Sequence, residues 1–340
     1  MIKIPVYKIE VNHYSRVYRS GQWIDGKYMR QLENKLKEYL EVDYVILTNS
    51  GSSALLAAYW ALSDYLSQKE LLVDPYTFPA TYRTAESIGY RLRFKRLLEN
   101  FQPELKSPKI LKAITHLYGQ PQMEILETVS PAVEDACQSF GATIQINGQI
   151  HKVGTITDAG CFSFYPTKTL HTCGHGGAVV TNNKSFYRKM KIFVESGRWQ
   201  GKMTAFPAMN LRMDEIKAEF ILKKLRNYDK HTQIRREIAE EYCSVIPSST
   251  QKFLVGKGHI YSIFNLLVSG RDNFRKFLEK KGIETLVYYS EEILPREQRK
   301  NYRDITRRIV ALPCRHNLKI REVRCIKECL RQWFSENYKA

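Results

Sequence analysis

The stretch Asp158–Asn183, DAGCFSFYPTKTLHTCGHGGAVVTNN, decides how the rest of the chain is read. Cys161-Phe162-Ser163-Phe164 is short and apolar enough for a buried strand, and Ala178-Val179-Val180-Thr181 resumes as a second one. Between them the chain breaks at Pro166, presents Thr167-Lys168, and turns through Gly174-His175-Gly176-Gly177. A lysine held between two buried strands sits in a low dielectric. Desolvation there disfavours the ammonium form and lowers the pKa. Such an amine can act as a nucleophile and form a Schiff base with a carbonyl. A lysine on a solvated loop is the other reading, and nothing within the stretch separates the two.

Working outward, Tyr44–Thr48 is a strand that runs into Asn49-Ser50-Gly51-Ser52-Ser53 and then the helix-forming run Ala54–Leu62. A helix N-terminus offers unpaired N–H groups and a positive dipole end, so this unit is a ready phosphate cradle. It is not a P-loop, because the motif's lysine is missing. Ser50 or Ser52 as a plain helix cap explains the same residues. Leu71–Val73, Leu92–Phe94, Ile110–Thr115 and Ala132–Ala136 are further strands. Helical runs fall at 28–40, before Ile88 and at 122–129, and residues 96–108 read as a charged loop. Strands alternating with helices from about residue 44 to 195 imply a parallel sheet covered on both faces. Glu134-Asp135 then lies at the C-terminal end of a strand, where open α/β sheets bind ligands.

From Asp214, a plausible N-cap, the pattern changes. Ile216, Phe220, Leu222 and Leu225 mark one helix, and a long charged helix follows to Cys243. A smaller α+β section comes after Pro247: strands at Ile260–Val268 and Thr285–Tyr289, helices at 271–281 and 320–337.

The 340 residues exceed what one core usually fills, so two domains are expected. No apolar h-region opens the chain and no apolar run suits a membrane span, which gives a cytoplasmic expectation. The 7 cysteines include no C-x-x-C pair, which argues for reduced thiols and against a zinc site. The formal charge is +18, but the basic residues are scattered. A solvated surface that steers an anionic substrate accounts for them. A nucleic-acid-binding protein is the non-enzymatic alternative, although no helix-turn-helix or RNA-binding motif stands out.

Six blocks now fall into register: Gly51-Ser52-Ser53-Ala54-Leu55, Thr77-Phe78-Pro79-Ala80-Thr81, His116-Leu117-Tyr118-Gly119-Gln120-Pro121, Glu134-Asp135-Ala136-Cys137-Gln138-Ser139, Phe162–Lys168 and Asn210–Ile216. In order and spacing they resemble the DegT/StrS group of nucleotide-sugar aminotransferases, fold type I enzymes dependent on pyridoxal 5'-phosphate. The resemblance covers nearly the whole chain. It implies an α/β large domain over residues 1–228, with a mainly parallel seven-stranded sheet covered by helices, and a small C-terminal α+β domain over 229–340. It makes Lys168 the Schiff-base lysine and proton carrier. Asp135 faces the pyridine nitrogen, Gln138 the phenolic oxygen and Phe78 the ring face. Ser52, the Ser53 backbone and Ser163 hold the phosphate. Asn210 reaches the phosphate of a neighbouring subunit, which implies a homodimer. Arg212 faces the same anionic region, with an ion pair as the alternative.

The resemblance also implies a nucleotide-linked ketosugar as acceptor and an amino acid, glutamate, as donor. The product is an amino sugar for a surface polysaccharide or a secondary metabolite. Transfer to a cyclitol ketone or sugar dehydration on the same scaffold are the enzymatic alternatives; Lys168 speaks against dehydration. The chain departs from the family at His175, where an acid is usual, and at Arg315, where a histidine is common. It departs again at Phe94-Lys95-Arg96 and at Tyr288-Tyr289, where a His-Tyr pair is expected near the substrate. These changes leave the sugar open and the cofactor shell intact.

Overall fold

The computed structural model describes residues 4–8, 16–95, 105–251, 253 and 256–338. Thirteen strands are formed among them, in chain order β1 Tyr44–Thr48, β2 Glu70–Val73, β3 Arg91–Phe94, β4 Leu111–Thr115, β5 Ala132–Asp135, β6 Thr143–Ile146, β7 Gln149–Lys152, β8 Ala159–Ser163, β9 Gly177–Thr181, β10 Arg198–Trp199, β11 Lys202–Met203, β12 Phe264–Leu267 and β13 Ile309–Leu312. Seven build the central sheet, in the order β1-β9-β8-β5-β4-β2-β3. Every neighbouring pair is parallel except those that β9 makes with β1 and β8. The sheet is therefore mainly parallel, with one reversed strand.

Period-two alternation places this sheet between two apolar layers. Val45, Leu47, Ile114, Phe162, Ala178 and Val180 pack to one face, with the helix Lys27–Leu40 and part of Glu215–Leu225. Ile46, Val73, Ala113, Val133, Cys161 and Val179 pack to the other, with the helices Gly51–Leu62 and Lys184–Val194. The helix Gly51–Leu62 is apolar nearly all round because it lies buried in its layer. A third apolar cluster joins the helices Tyr228–Cys243, Arg271–Lys280 and Ile320–Asn337 over the antiparallel pair β12/β13.

Several expectations are corrected. Thr285–Tyr289 is not a strand: Leu286 makes only an isolated bridge to Ala311. Its later ladder groups are engaged by tyrosine hydroxyls, since Tyr118 donates to the Tyr288 carbonyl at 2.8 Å and Tyr289 N–H donates to Tyr76 Oη at 3.1 Å. The strand expected at Ile260–Val268 shortens to β12, and the helix at 122–129 is a 3-10 segment, Met123–Glu127. The β6/β7 hairpin was not foreseen. Asp214 does precede its helix, but its side chain caps nothing and pairs instead with Lys217 at 2.6 Å. The cap that matters is Glu215, whose buried carboxylate accepts N–H groups of Gly26, Tyr28 and Met29 at the start of Lys27–Leu40. Of the loop expected at 96–108, residues 96–104 lie outside the described residues.

Candidate active site

The parallel strands point their C-terminal ends to one edge, and the antiparallel β9 begins at that same edge. Loops leaving it carry Ser50, Thr77, His116, Asp135, Ser163 and Lys168. They enclose a cavity of about 520 Å³ lined by Ser50, Gly51, Ser52, Phe78, Thr115, Asp135, Gln138, Ser163, Lys168 and Tyr288, among others. Six of the expected cofactor residues therefore meet in one place: Ser52, Phe78, Asp135, Gln138, Ser163 and Lys168.

Lys168 lies in the turn between β8 and β9, where its N–H donates to the Tyr165 carbonyl at 2.9 Å. Burial pushes its ammonium pKa below the ordinary lysine value, against the opposing pull of Cys137 and Asp135. Losing water costs the charged amine more than these neighbours return.

Asp135 ends β5 and is 5% exposed. One carboxylate oxygen accepts the Thr81 hydroxyl at 2.6 Å and the other the Cys137 N–H at 3.1 Å. These bonds fix the carboxylate plane and leave acceptor capacity on both oxygens.

Gln138 is held at both ends of its amide. A backbone N–H can only donate, so Tyr118 N–H at 2.8 Å fixes the position of Oε1. Nε2 then donates to Tyr289 Oη at 2.6 Å. Tyr118 presents that N–H from the left-handed region, at φ 60°, an unusual conformation for a bulky residue. Its own hydroxyl donates to the Tyr288 carbonyl. Phe78 is 55% exposed at the cavity mouth, its ring centroid 6.5 Å from that of Tyr289.

The helix Gly51–Leu62 opens on the cavity. Ser50 caps it, accepting Ser53 N–H at 3.1 Å. This bears out the capping reading of Ser50 and engages the Ser53 backbone, which does not line the cavity. The N–H groups of Gly51 and Ser52 come first in the helix and have no acceptor within it. Both residues line the cavity, and close packing there leaves no room for further side-chain atoms. A Cβ on Gly51 would lie 2.8 Å from Ser163 Cβ, and one on Gly177 would lie 2.4 Å from the Ser50 carbonyl group.

The remaining expected residues stand elsewhere. Asn210 is exposed, bridges Glu195, and accepts Arg212 Nε at 3.3 Å. Arg212 pairs with Asp25 at 2.7 Å, the alternative weighed for it. Arg315 donates from Nε to the Pro5 carbonyl at 3.2 Å and from Nη1 to Asn317 at 2.7 Å. It lines a separate cavity behind Lys168. Sequence reasoning missed Thr81, the partner of Asp135, although its block was quoted. It also missed Thr115, whose buried hydroxyl has no hydrogen-bond partner and lines the cavity. Tyr289 was noted only as half of a pair.

The donor set fits pyridoxal phosphate: an amine to bind an aldehyde, an acid for a ring nitrogen, and an anion cradle that extra Cβ atoms would fill. What fold and site define is thus an enzyme that holds an aldehyde cofactor through an amine. The chain belongs to the DegT/DnrJ/EryC1/StrS aminotransferase family, whose model matches residues 7–331. It is an aminotransferase, and pyridoxal phosphate is its cofactor. It is 29% identical over 293 residues to a pleiotropic regulatory protein of Geobacillus stearothermophilus, covering 80% of this chain and 77% of that one. It is 26% identical over 291 residues to the UDP-2-acetamido-2-deoxy-3-oxo-D-glucuronate aminotransferase of Pseudomonas aeruginosa, covering 81% and 80%. The crystal structure of a DegT DnrJ EryC1 StrS aminotransferase from Brucella abortus superposes with a TM-score of 0.84 at 23% identity, over 94% of this chain and 93% of that one. Among the described residues, no helix is long and apolar enough to cross a membrane.

Proposed function

We propose that this chain moves the amino group of an amino acid, glutamate, onto the keto carbon of a sugar carried by a nucleoside diphosphate. The observation that carries the reading is the convergence of Lys168, Asp135 and the start of the helix Gly51–Leu62 on one cavity. Bound pyridoxal phosphate supplies an electron sink for the carbon that loses its proton. Asp135 holds the ring nitrogen protonated. Gln138 gives one amide hydrogen to Tyr289 and keeps the other for the phenolic oxygen. Gly51 and Ser52 N–H groups, with the Ser52 and Ser163 hydroxyls, hold the phosphate; Ser53 supports them through its bond to Ser50. Phe78 covers the ring face. Lys168, whose charged form burial disfavours, would take the proton from the donor's α-carbon and return one to the acceptor side.

Relatives named for UDP-, dTDP- and GDP-linked sugars support the nucleotide, and the formal charge of +18 suits an acceptor with two phosphates. The working unit is a homodimer. Asn210 is exposed and does not line the cavity of its own chain, and Met203, Phe206 and Met209 of the same stretch are exposed apolar side chains that a second copy would cover. Tyr288, at the cavity wall, meets the substrate, and residues 1–228 and 229–340 form the large and small domains of a cytoplasmic enzyme. In the test, protein loaded with pyridoxal phosphate is mixed with glutamate and its visible absorbance followed. The band should bleach, and a nucleotide-linked ketosugar should restore it. A chain that stays colourless with the cofactor, or ignores every nucleotide-linked ketosugar, overturns the reading.

A further inference from the structure

A second, small cavity of about 60 Å³ lies against the far side of the Lys168 turn. It shares Thr167 and Lys168 with the active-site cavity, so the turn that carries the reactive amine forms a wall of both. Its walls come from the N-terminal segment (Tyr7, Lys8), the turn itself and the small domain. Among the described residues that line it, Lys8, Lys168, Arg235 and Arg315 are basic, and none is acidic.

Among the described residues, neither arginine forms an ion pair with an acid, although Arg315 feels the charge of Glu322. Arg235 is 3% exposed. It donates from Nε to the Ile260 carbonyl at 3.2 Å and from Nη2 to Thr232 Oγ1 at 2.7 Å, and it lies over the Tyr228 ring at 5.7 Å. All three partners are neutral. A guanidinium carries five N–H donors, so others remain to be used. Arg315 likewise spends Nε and Nη1 on neutral oxygens. Glu322, whose charge acts on it, accepts the Lys319 N–H at the start of the last helix. Ser262 Oγ, on the same cavity wall, is buried with no hydrogen-bond partner. A buried cation without a counter-charge is costly, whereas planar guanidinium donors match a carboxylate in geometry.

We propose that this cavity is the subsite for a carboxylate of the amino-acid donor, bound by Arg235, Arg315 and Ser262, with the donor's amino group reaching past Lys168 toward the active-site cavity. The volume suits one carboxylate and is too small for a diphosphate. The site rests on the aminotransferase reading above, and it explains how a donor is selected without crowding the acceptor's cavity.

The test uses the cofactor-loaded protein with glutarate, a dicarboxylate that has no amino group to transfer. Glutarate should raise the melting temperature, and the rise should be lost in Arg315→Gln, a half-buried position whose replacement leaves the core intact. In kinetics, Arg315→Gln and Ser262→Ala should raise KM for glutamate, the former by about tenfold or more, the usual cost of removing one partner of a buried charge pair. KM for the ketosugar should stay unchanged. If inorganic phosphate stabilises the protein and glutarate does not, the cavity reads a phosphate and the carboxylate assignment is overturned. If neither ligand shifts the melting temperature, or KM rises for the ketosugar alone, it is overturned too. Failure of the aminotransferase reading would show separately, as protein that binds glutarate yet never transfers an amino group.

Discussion

The two walls of the active site are built on different principles. The wall at the sheet edge hangs on strand ends: Asp135 closes β5, Ser163 closes β8, and the helix after β1 starts with Gly51 and Ser52. Ladder pairing fixes Asp135 on both sides and Ser163 on one, and Gly51 and Ser52 follow closely on the end of β1. The facing wall is made of Tyr288 and Tyr289, which belong to no strand and are held by hydroxyls of Tyr76 and Tyr118. A cofactor needs atoms fixed to a fraction of an ångström, and strand ends supply that. A substrate wall has to differ between relatives, and irregular backbone allows such change. Substitutions on the sheet side should therefore strike chemistry, and those on the facing side should strike binding.

The largest effect is expected at the amine itself. Lys168→Ala should cut the transfer rate by at least about 10³-fold, since it removes both nucleophile and proton carrier. Cofactor binding should weaken much less, because the phosphate cradle and Asp135 remain. A stopped-flow trace of glutamate-dependent bleaching measures the rate, and equilibrium dialysis measures the cofactor. Full activity in this variant would remove the distinction between the walls.

Next comes Asp135→Asn, expected to lower the rate by roughly 10²-fold or more, as loss of one preorganised electrostatic partner does. It carries a second signature. Burial already lowers the Lys168 pKa, and the Asp135 charge works against that lowering. Removing the charge should shift the pH midpoint for cofactor uptake further down. The neutral amine then persists to lower pH than in the parent protein. Uptake rates of the apoprotein across a pH series give the midpoint, and an upward move would contradict the geometry.

Gly177→Ala asks whether the sheet wall has room to give. Its Cβ would come 2.4 Å from backbone atoms of Ser50, which cannot rotate away. A loss of about 1–3 kcal/mol is expected, in the range of overpacked sites, read as a lower denaturation midpoint with cofactor affinity falling in parallel.

The contrast between the walls also explains what could be read from the chain. β1, β2, β4, β5, β8 and β9 were legible within a residue or two because each is a compact apolar run, and their ends carried the cofactor residues. Lys168 and Asp135, both of which line the cavity, stood out for that reason. The direction of β9 was not legible: an apolar run of five residues looks the same in either direction, and the short turn from β8 constrains it only in three dimensions. Thr285–Tyr289 misled, since β-branched and aromatic residues suit a strand and only distant tyrosines show that its polar groups are taken. Thr81 lay hidden because a threonine in the first turn of a helix usually bonds nearby backbone, as Thr81 also does to the Phe78 carbonyl. Arg235 looked like any basic residue on a charged helix until the N-terminal segment and β12 closed over it.

The smallest effect sharpens the comparison most. Tyr289 belongs to the facing wall, yet its hydroxyl accepts Gln138 Nε2 and so helps orient a side chain of the sheet wall. Burial raises the Tyr289 pKa, so the phenol stays protonated across the working range. Tyr289→Phe keeps the ring and its edge contact with Tyr76 and deletes one acceptor. A buried amide hydrogen left without a partner costs about 1–2 kcal/mol, which is roughly tenfold. If Tyr289 serves only the substrate, that tenfold should fall on KM for the ketosugar. If it also steadies Gln138, the absorption maximum of the bound cofactor should move as well, because Gln138 is the residue proposed to face the phenolic oxygen. We expect both changes, with the spectral shift present before any substrate is added. A change in KM with an unmoved spectrum would mean that the two walls act independently.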